Sequence, residues 1–98
     1  MPVQRSKEKT KKRRVTFSLK APEAKEAMLM GDFNNWDKKS HPMKRAEGGM
    51  WKKILMLTPG RYEYKFLVDG EWRNDPENEL LCPNDFGTQN NLLTVSKK

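Results

Sequence analysis

The stretch Tyr62-Glu63-Tyr64-Lys65-Phe66-Leu67-Val68-Asp69-Gly70-Glu71-Trp72 contains the clearest strand pattern of this sequence. Side chains of two kinds alternate along it up to Val68, which is the periodicity of a β-strand with one buried face. The stretch is rich in aromatic residues and contains no proline, so it favours a strand over a helix. The predicted core face carries Tyr62, Tyr64, Phe66 and Val68, and the other face carries Glu63, Lys65 and Leu67.

A tight turn follows this strand at Asp69-Gly70, a dipeptide that tolerates positive φ at both central positions of a hairpin loop. The predicted cross-strand pairs are Val68 with Glu71 and Leu67 with Trp72. Because paired residues share a face, Trp72 is expected diagonally beside Lys65 and outside the core. An aromatic ring next to an amine on an exposed sheet face indicates a ligand site.

The length of 98 residues allows one domain, and the net charge of +7 is unevenly distributed along it. Residues 1–14 hold seven Lys or Arg against Glu8, whereas residues 15–98 hold 13 basic and 12 acidic residues. The first segment lacks apolar periodicity and is predicted to be a disordered basic tail. Residues 15–98 are predicted to form the folded domain.

Cysteine usage and hydropathy bear on the cellular compartment. Cys82 is the only cysteine, so no intrachain disulfide can form and a secreted, disulfide-stabilised domain is not expected. No apolar run follows the basic N-terminal residues, and no stretch has transmembrane length, so neither a signal peptide nor membrane association is expected. The simplest interpretation is a cytoplasmic protein.

Alternating apolar residues predict further strands over residues 14–20, 27–33, 50–57 and 91–95. Pro and Gly in Thr58-Pro59-Gly60-Arg61 predict a type II turn that joins residues 50–57 to the strand at Tyr62 as a hairpin. Most of residues 38–49 and 73–88 are predicted as loops. Many short strands without a helical window favour an all-β fold, either a sandwich or a small barrel.

Two residues within these strands are interpreted as structural. Gly31 indicates a bulge or a close backbone approach, because glycine weakens a strand unless something must come near. Trp51 shares its parity with Leu55 and Leu57, which places it in the core.

The sequence contains few candidate residues for catalysis or metal binding. His41 is the only histidine and is predicted to lie in a surface loop, and Cys82 has no Cys or His nearby at metal-ligand spacing. Asp75, Glu77 and Glu79 are interpreted as an acidic, solvated loop. No glycine-rich phosphate loop is present. The sequence therefore predicts neither an enzyme nor a cofactor or metal site.

The sequence contains better candidates for a binding site, because Trp36 and Trp72 are predicted at loop edges and residues with amide side chains lie near them. Such tryptophans either close the ends of a sandwich or stack on a ligand. Sugars need flat apolar platforms for their C–H faces and mixed donors and acceptors for their hydroxyls. Those donors and acceptors are Asn34, Asn35, Lys65, Asn90 and Asn91.

The motifs Gly31-Asp32-Phe33-Asn34-Asn35-Trp36, Tyr64 to Trp72, Asn74-Asp75-Pro76 and Gly87-Thr88-Gln89-Asn90-Asn91 occur in this order. In order and spacing the sequence resembles carbohydrate-binding module family 48, and within it the glycogen-binding domain of the AMP-activated protein kinase β subunit. The resemblance covers roughly residues 14–96. It implies an immunoglobulin-like β-sandwich of short antiparallel strands that binds α-1,4-linked glucans, such as glycogen, starch or cyclodextrin, without cleaving them.

The resemblance also implies roles for individual residues. Trp36 and Trp72 match the tryptophans that stack on glucose units, and Lys65 matches the lysine that hydrogen-bonds sugar hydroxyls. Thr88 and Asn90 match residues that contact hydroxyls or order the loop, and Phe86 replaces a leucine of the kinase-type domains. Implied partners are a glycogen- or starch-metabolising enzyme or a kinase subunit.

Two alternatives stay open beside glucan binding. The basic tail and exposed aromatic rings allow a nucleic-acid-binding module whose affinity would fall steeply with salt. The fold also allows a protein-interaction domain without a sugar site, although Trp36, Lys65, Trp72 and Asn90 together argue against it. An open sugar site of this kind should bind oligosaccharides with a Kd of roughly micromolar to millimolar.

Overall fold

A computed structural model describes residues 12–96, which form eight β-strands and two short 3₁₀ turns. The all-β sandwich predicted from the sequence is confirmed. The 3₁₀ turns span Asp32–Asn34 and Glu47–Gly49. The strands are β1 (Arg13–Lys20), β2 (Ala27–Gly31), β3 (Lys44–Arg45), β4 (Met50–Leu57), β5 (Gly60–Val68), β6 (Glu71–Arg73), β7 (Leu81–Pro83) and β8 (Gln89–Val95).

These strands form two antiparallel sheets. The first sheet has the order β1-β4-β3, and the second has the order β2-β5-β8-β7 with β6 paired to β5. Strand β5 is the centre of the second sheet, because β2 pairs with its residues 64–68 along one edge. Along the other edge, β8 pairs with residues 60–64 and β6 with residues 66–68. Residues 62–72 thus connect most of the second sheet.

The core lies between the two sheets and is rich in aromatic rings. Phe17 of β1 packs edge-on against Tyr64 of β5, with ring centroids 5.1 Å apart. Trp51 is buried, as its parity predicts, and its indole N–H donates to the carbonyl oxygen of Ala21 at 2.9 Å. Other buried core residues are Leu19, Leu29, Leu57, Phe66, Val68 and Val95. The predicted core face of β5 is therefore confirmed at Tyr64, Phe66 and Val68.

The predicted hairpin between residues 50–57 and the strand at Tyr62 is wrong. Strand β4 pairs with β1 and β3, whereas β5 belongs to the other sheet, so residues 58–59 carry the chain from one sheet to the other. Gly60 is already the first residue of β5. The Tyr62 hydroxyl donates to the carbonyl oxygen of Thr58 at 2.6 Å and holds this crossing, in the manner of a tyrosine corner.

Strand boundaries differ from the predictions in several places. Strand β1 begins at Arg13, one residue before the predicted strand, and includes Arg13 and Arg14, which the predicted domain boundary assigns to the basic tail. Residues 1–11 lie outside the described residues, so the proposed division into tail and domain stays a prediction. Strands β3 and β7 lie where the sequence predicts loops, because two or three residues are too few to show a period. Among residues 12–96, no helix has the length and hydropathy needed to cross a bilayer.

Candidate functional site

An open cleft of about 620 Å³ lies on the second sheet, on the face away from the core. It brings together the six residues for which the family resemblance implies sugar contacts, whereas Asn34, Asn35 and Asn91, also expected as donors and acceptors, do not line it. The six residues are Trp36, Lys65, Trp72, Phe86, Thr88 and Asn90. They come from the turn after β2, from β5 and β6, from the loop after β7, and from β8.

The Asp69-Gly70 hairpin places Trp72 in the cleft. Both turn residues have positive φ, 48° and 84°, and the predicted pairing of Leu67 with Trp72 is confirmed. The Trp72 ring is therefore on the same face as Lys65, whose Nζ lies 5.9 Å from the ring centroid. The Trp72 side chain is 49% exposed, so one aromatic surface remains open to a ligand.

Trp36 forms the other aromatic wall of the cleft, and Asp32 fixes its orientation. The two indole rings lie 6.2 Å apart, centroid to centroid, at an interplanar angle of 61°. Asp32 accepts the indole N–H of Trp36 at 3.1 Å with one carboxylate oxygen and the backbone N–H of Glu63 at 2.8 Å with the other. Trp36 is thereby tied to the central strand β5.

The turn that carries Trp36 has an unusual backbone that local contacts support. Asn35 and Trp36 both have φ in the left-handed region, 56° and 57°. The Asn34 side chain accepts from Gly31 N–H and donates to the Leu29 carbonyl, which closes the turn onto β2. The predicted close approach at Gly31 is confirmed, because a Cβ there would lie 2.8 Å from the carbonyl oxygen of Glu63.

Lys65 is buried, which corrects the expectation of a fully exposed sheet face. Its side chain is only 7% exposed, and its strand partner Met30 is 1% exposed. The Nζ atom donates to Thr88 Oγ1 at 3.2 Å and faces the Trp72 ring. Trp72 and the loop carrying Thr88 therefore cover the amine, which keeps it at one position at the base of the cleft.

The remaining wall is the loop between β7 and β8. Phe86 at its tip is 89% exposed, and Thr88 and Asn90 line the cleft behind it. Asn90 is 7% exposed and donates through Nδ2 to Glu63 Oε1 at 3.0 Å. An exposed aromatic side chain thus lies at the rim, and the hydrogen-bonded Asn90 amide lies at the base.

Five further residues line the cleft that the sequence analysis did not nominate. They are Asp32, Glu63, Pro83, Asn84 and Asp85. The two-residue periodicity of a strand would have predicted Glu63 as a cleft residue, because Glu63 shares a face with Lys65. The dipeptide Asn84-Asp85 is typical of turns, but nothing in the sequence shows that the Asn84 side chain closes the loop.

Other candidate residues have structural surroundings. Tyr64 donates its hydroxyl to Asp75 at 2.7 Å, and burial raises the pKa of this phenol. Desolvation, assisted by the neighbouring Glu63 carboxylate, raises the pKa of the Cys82 thiol. His41 is half-buried and bonded to Asn34 rather than lying free in a loop. Within residues 12–96, no cluster of three or more His, Cys, Asp or Glu side chains is placed to hold a metal ion.

The cleft offers two indole surfaces, one amine and several amide and carboxylate groups. Such a set suits a ligand with apolar faces and many hydroxyls better than a fully apolar ligand, because it combines stacking with hydrogen bonding. The fold and the cleft define a β-sandwich binding module. The chain belongs to the family described as the glycogen recognition site of AMP-activated protein kinase, which matches residues 13–98.

Similar proteins come from plants and animals. The chain is 45% identical over 83 residues to Protein FLOURY ENDOSPERM 6, chloroplastic, of Oryza sativa subsp. japonica, covering 85% of this chain and 15% of that protein. It is 42% identical over 73 residues to Protein PTST homolog 2, chloroplastic, of Arabidopsis thaliana, covering 74% of this chain and 13% of that protein. It is equally similar, at 42% over 73 residues, to the 5'-AMP-activated protein kinase subunit beta-1 of Homo sapiens, covering 74% of this chain and 26% of that protein.

The similarity is therefore that of a module. This chain spans 26% or less of each of these three relatives. The residues that the family model matches, 13–98, contain the two sheets and the cleft, whereas most of each relative has no counterpart in this chain.

Proposed function

We propose that this protein binds α-1,4-linked glucans such as glycogen, starch, maltooligosaccharides and cyclodextrin in the cleft, and does not cleave them. The observation that carries the proposal is the convergence of Trp36, Trp72 and Lys65 on one open cleft, with the rings 6.2 Å apart and the amine 5.9 Å from Trp72. Membership of a family described by glycogen recognition supports it.

The geometry assigns a role to each wall. Trp36 and Trp72 are inclined to each other by 61°, so they suit a bent chain of glucose units better than a flat ribbon. Lys65 and Thr88 supply hydrogen bonds to hydroxyls at the base, and Phe86 adds a contact at the rim. Each stacked ring contributes on the order of 1 kcal/mol, by analogy with aromatic pairs.

Binding without hydrolysis fits the state of two of the three cleft carboxylates, Asp32 and Glu63. The two oxygens of Asp32 accept hydrogen bonds from Trp36 and from the backbone of β5, and those of Glu63 accept from Asn90 and Cys82. Both side chains thus have protein donors and serve as structural acceptors. Incubation with glycogen is expected to release no reducing sugar above a protein-free control.

The direct test is native gel mobility with and without glycogen in the gel. Wild type should be retarded equally at low and high salt, and Trp72→Ala should migrate as if glycogen were absent. Met56→Ala is the matched control, because Met56 is 53% exposed on the other sheet and also loses an apolar surface group. No retardation of folded wild type would refute glucan binding and favour a protein-interaction domain.

The finer assignments of partner and compartment are also proposals. We infer that the module brings itself, or a glycogen- or starch-metabolising enzyme or kinase subunit, to a storage polysaccharide. The family's description supports the glycogen target, and the name of the kinase relative supports the kinase subunit. We place it in the cytoplasm, although two plant relatives are named as chloroplastic. Cell fractionation with detection of the native protein would decide between these compartments.

A further inference from the structure

We propose that Asn84 is a positioning residue that holds the Phe86 loop and the Asn90 amide in the geometry needed for ligand binding. This inference rests on the proposed glucan binding. Asn84 lies in the loop between β7 and β8 and lines the cleft, but the residues around it carry the proposed ligand contacts.

The first function of Asn84 is to close the loop that carries Phe86. Its backbone N–H donates to the carbonyl oxygen of Thr88 at 3.0 Å. Its side-chain Oδ1 accepts the backbone N–H of Phe86 at 2.9 Å and that of Thr88 at 3.2 Å. Three bonds from one residue therefore fix both ends of a five-residue loop, residues 84–88.

These contacts also settle the orientation of the Asn84 amide. A backbone N–H can only donate, so the atom facing Phe86 and Thr88 must be the carbonyl oxygen, and Nδ2 must point the other way. Nδ2 donates to Thr88 Oγ1 at 2.8 Å and to Asn90 Oδ1 at 2.9 Å. The Asn90 amide is thereby oriented too, with its own Nδ2 on Glu63 Oε1 at 3.0 Å.

The second function follows from this orientation. Thr88 Oγ1 also accepts a hydrogen bond from the Lys65 amine at 3.2 Å. The Asn84 amide therefore joins the loop, Asn90 and Lys65 into a continuous network. Asn84 is partly buried, and its bond to Asn90 is part-buried as well, so that bond competes less with water than it would at an open surface.

Phe86 depends on this network for its position. Its side chain is 89% exposed, so no packed neighbour among residues 12–96 holds the ring. If the loop were loose, a ligand would have to order it on binding, and part of the contact energy of Phe86 would offset that entropy. A preformed loop avoids this cost.

The test separates the two functions with two substitutions of Asn84. Asn84→Ala removes all side-chain bonds, and the Kd for maltoheptaose is expected to rise about tenfold. Phe86→Ala should then cost less affinity in the Asn84→Ala background than in wild type. Asn84→Asp keeps an acceptor for the two backbone N–H groups but sets an oxygen against Asn90, so affinity should fall while the Phe86→Ala penalty stays at its wild-type size.

Isothermal calorimetry measures these Kd values, and an NMR measurement of loop order, which needs no sugar, accompanies it. The heteronuclear NOE of the Phe86 and Thr88 amides should drop in Asn84→Ala and stay high in Asn84→Asp. Gln89→Ala is the control, because Gln89 is exposed in the adjoining strand and no hydrogen bond of its side chain is found within residues 12–96.

The outcomes are distinguishable. Unchanged NOE values in Asn84→Ala, or an unchanged Phe86→Ala penalty in that background, would overturn the positioning role. If the NOE values drop as expected but wild type does not bind maltoheptaose, the glucan proposal fails and the ordering of the loop by Asn84 stands.

Discussion

Lys65 is the residue whose chemistry departs most from its sequence appearance. A lysine in an alternating strand usually reaches solvent, yet this one is 7% exposed under Trp72 and the loop carrying Thr88. Parity and the hairpin register predict that Lys65 and Trp72 share a face. They do not predict burial, because the covering loop lies more than 20 residues further along the chain.

Replacing Lys65 by Met should weaken ligand binding without unfolding the protein. Methionine fills a similar volume, but it removes the donor and the charge facing Trp72. A hydrogen bond from a charged donor to a ligand hydroxyl contributes about 1.5 kcal/mol or more, so the Kd for maltoheptaose should rise about tenfold. Isothermal calorimetry and urea denaturation measure the two effects. Lys52→Met on β4, which removes an exposed lysine outside the cleft, should change neither, and an unaltered Kd in Lys65→Met would contradict the assigned role.

At the scale of the element, the turn after β2 determines where Trp36 lies. Gly31 has an extended backbone, so its requirement is steric: an added Cβ would lie 2.6 Å from the Phe33 ring and 2.8 Å from the carbonyl oxygen of Glu63. Gly31 also accepts the Trp36 backbone N–H through its carbonyl at 3.0 Å. A shift at this position therefore moves the aromatic wall of the cleft.

Gly31→Ala is predicted to lower both stability and binding. Overpacking of this kind costs about 1–3 kcal/mol of unfolding free energy, and the displaced turn should weaken glucan binding several-fold. Gly48→Ala is the control: a Cβ there meets nothing within 4 Å, so only the strain of its positive φ remains and binding should be kept. Urea denaturation and glycogen gels measure the pair. Full binding by folded Gly31→Ala would refute the coupling of this turn to the cleft.

The same turn should make stability depend on pH through His41. Asn34 accepts from the Gly31 N–H with its oxygen, so its Nδ2 must donate to His41 Nδ1 at 2.8 Å, and that nitrogen must be unprotonated. Desolvation, with the nearby Lys53 charge, lowers the pKa of His41. The unfolded chain therefore binds the proton more readily than the folded one, so stability is full above the ordinary pKa of about 6.5 and falls as pH drops below it.

His41→Gln should remove this contribution. The loss of thermal stability between neutral pH and a pH below the histidine range is expected to be larger in wild type than in the variant. Carboxylates such as Asp37, whose pKa is lowered by its hydrogen bond to the Lys39 backbone, act equally in both proteins and cancel in the comparison. If the melting temperatures of the two proteins fell equally between these pH values, His41 would be excluded as the source of the pH dependence.

Elements differ in how far the sequence determines them. The Asp69-Gly70 hairpin was predictable because its turn residues and its register are local. The crossing between the sheets at Thr58-Pro59-Gly60 was not predictable, because turn residues show where the chain bends but not which strands pair afterwards. Strand β7, which leads into the loop with Asn84, has only three residues, too few to show a period, so the sequence does not predict that Asn84 lines the cleft.

At the scale of the whole molecule, charge and cleft are separate features. Only Lys65 among the cleft-lining residues is basic, whereas Asp32, Glu63 and Asp85 are acidic. Much of the net charge of +7 comes instead from the N-terminal segment. Glucan binding should therefore be insensitive to salt, and any binding of polyanions should be salt-sensitive and independent of Trp72.

Deletion of residues 2–12 tests this separation. It removes five Lys or Arg and Glu8 but keeps Arg13 and Arg14, which pair with Leu57 and Met56 in β1 and β4. The shortened protein should keep its glycogen retardation and lose salt-sensitive binding to a single-stranded oligonucleotide, measured by fluorescence anisotropy. Trp72→Ala in the full chain should show the reverse pattern. If the deletion abolished glycogen retardation while the fold was intact, the basic segment would belong to the glucan site, and the cleft alone would not account for binding.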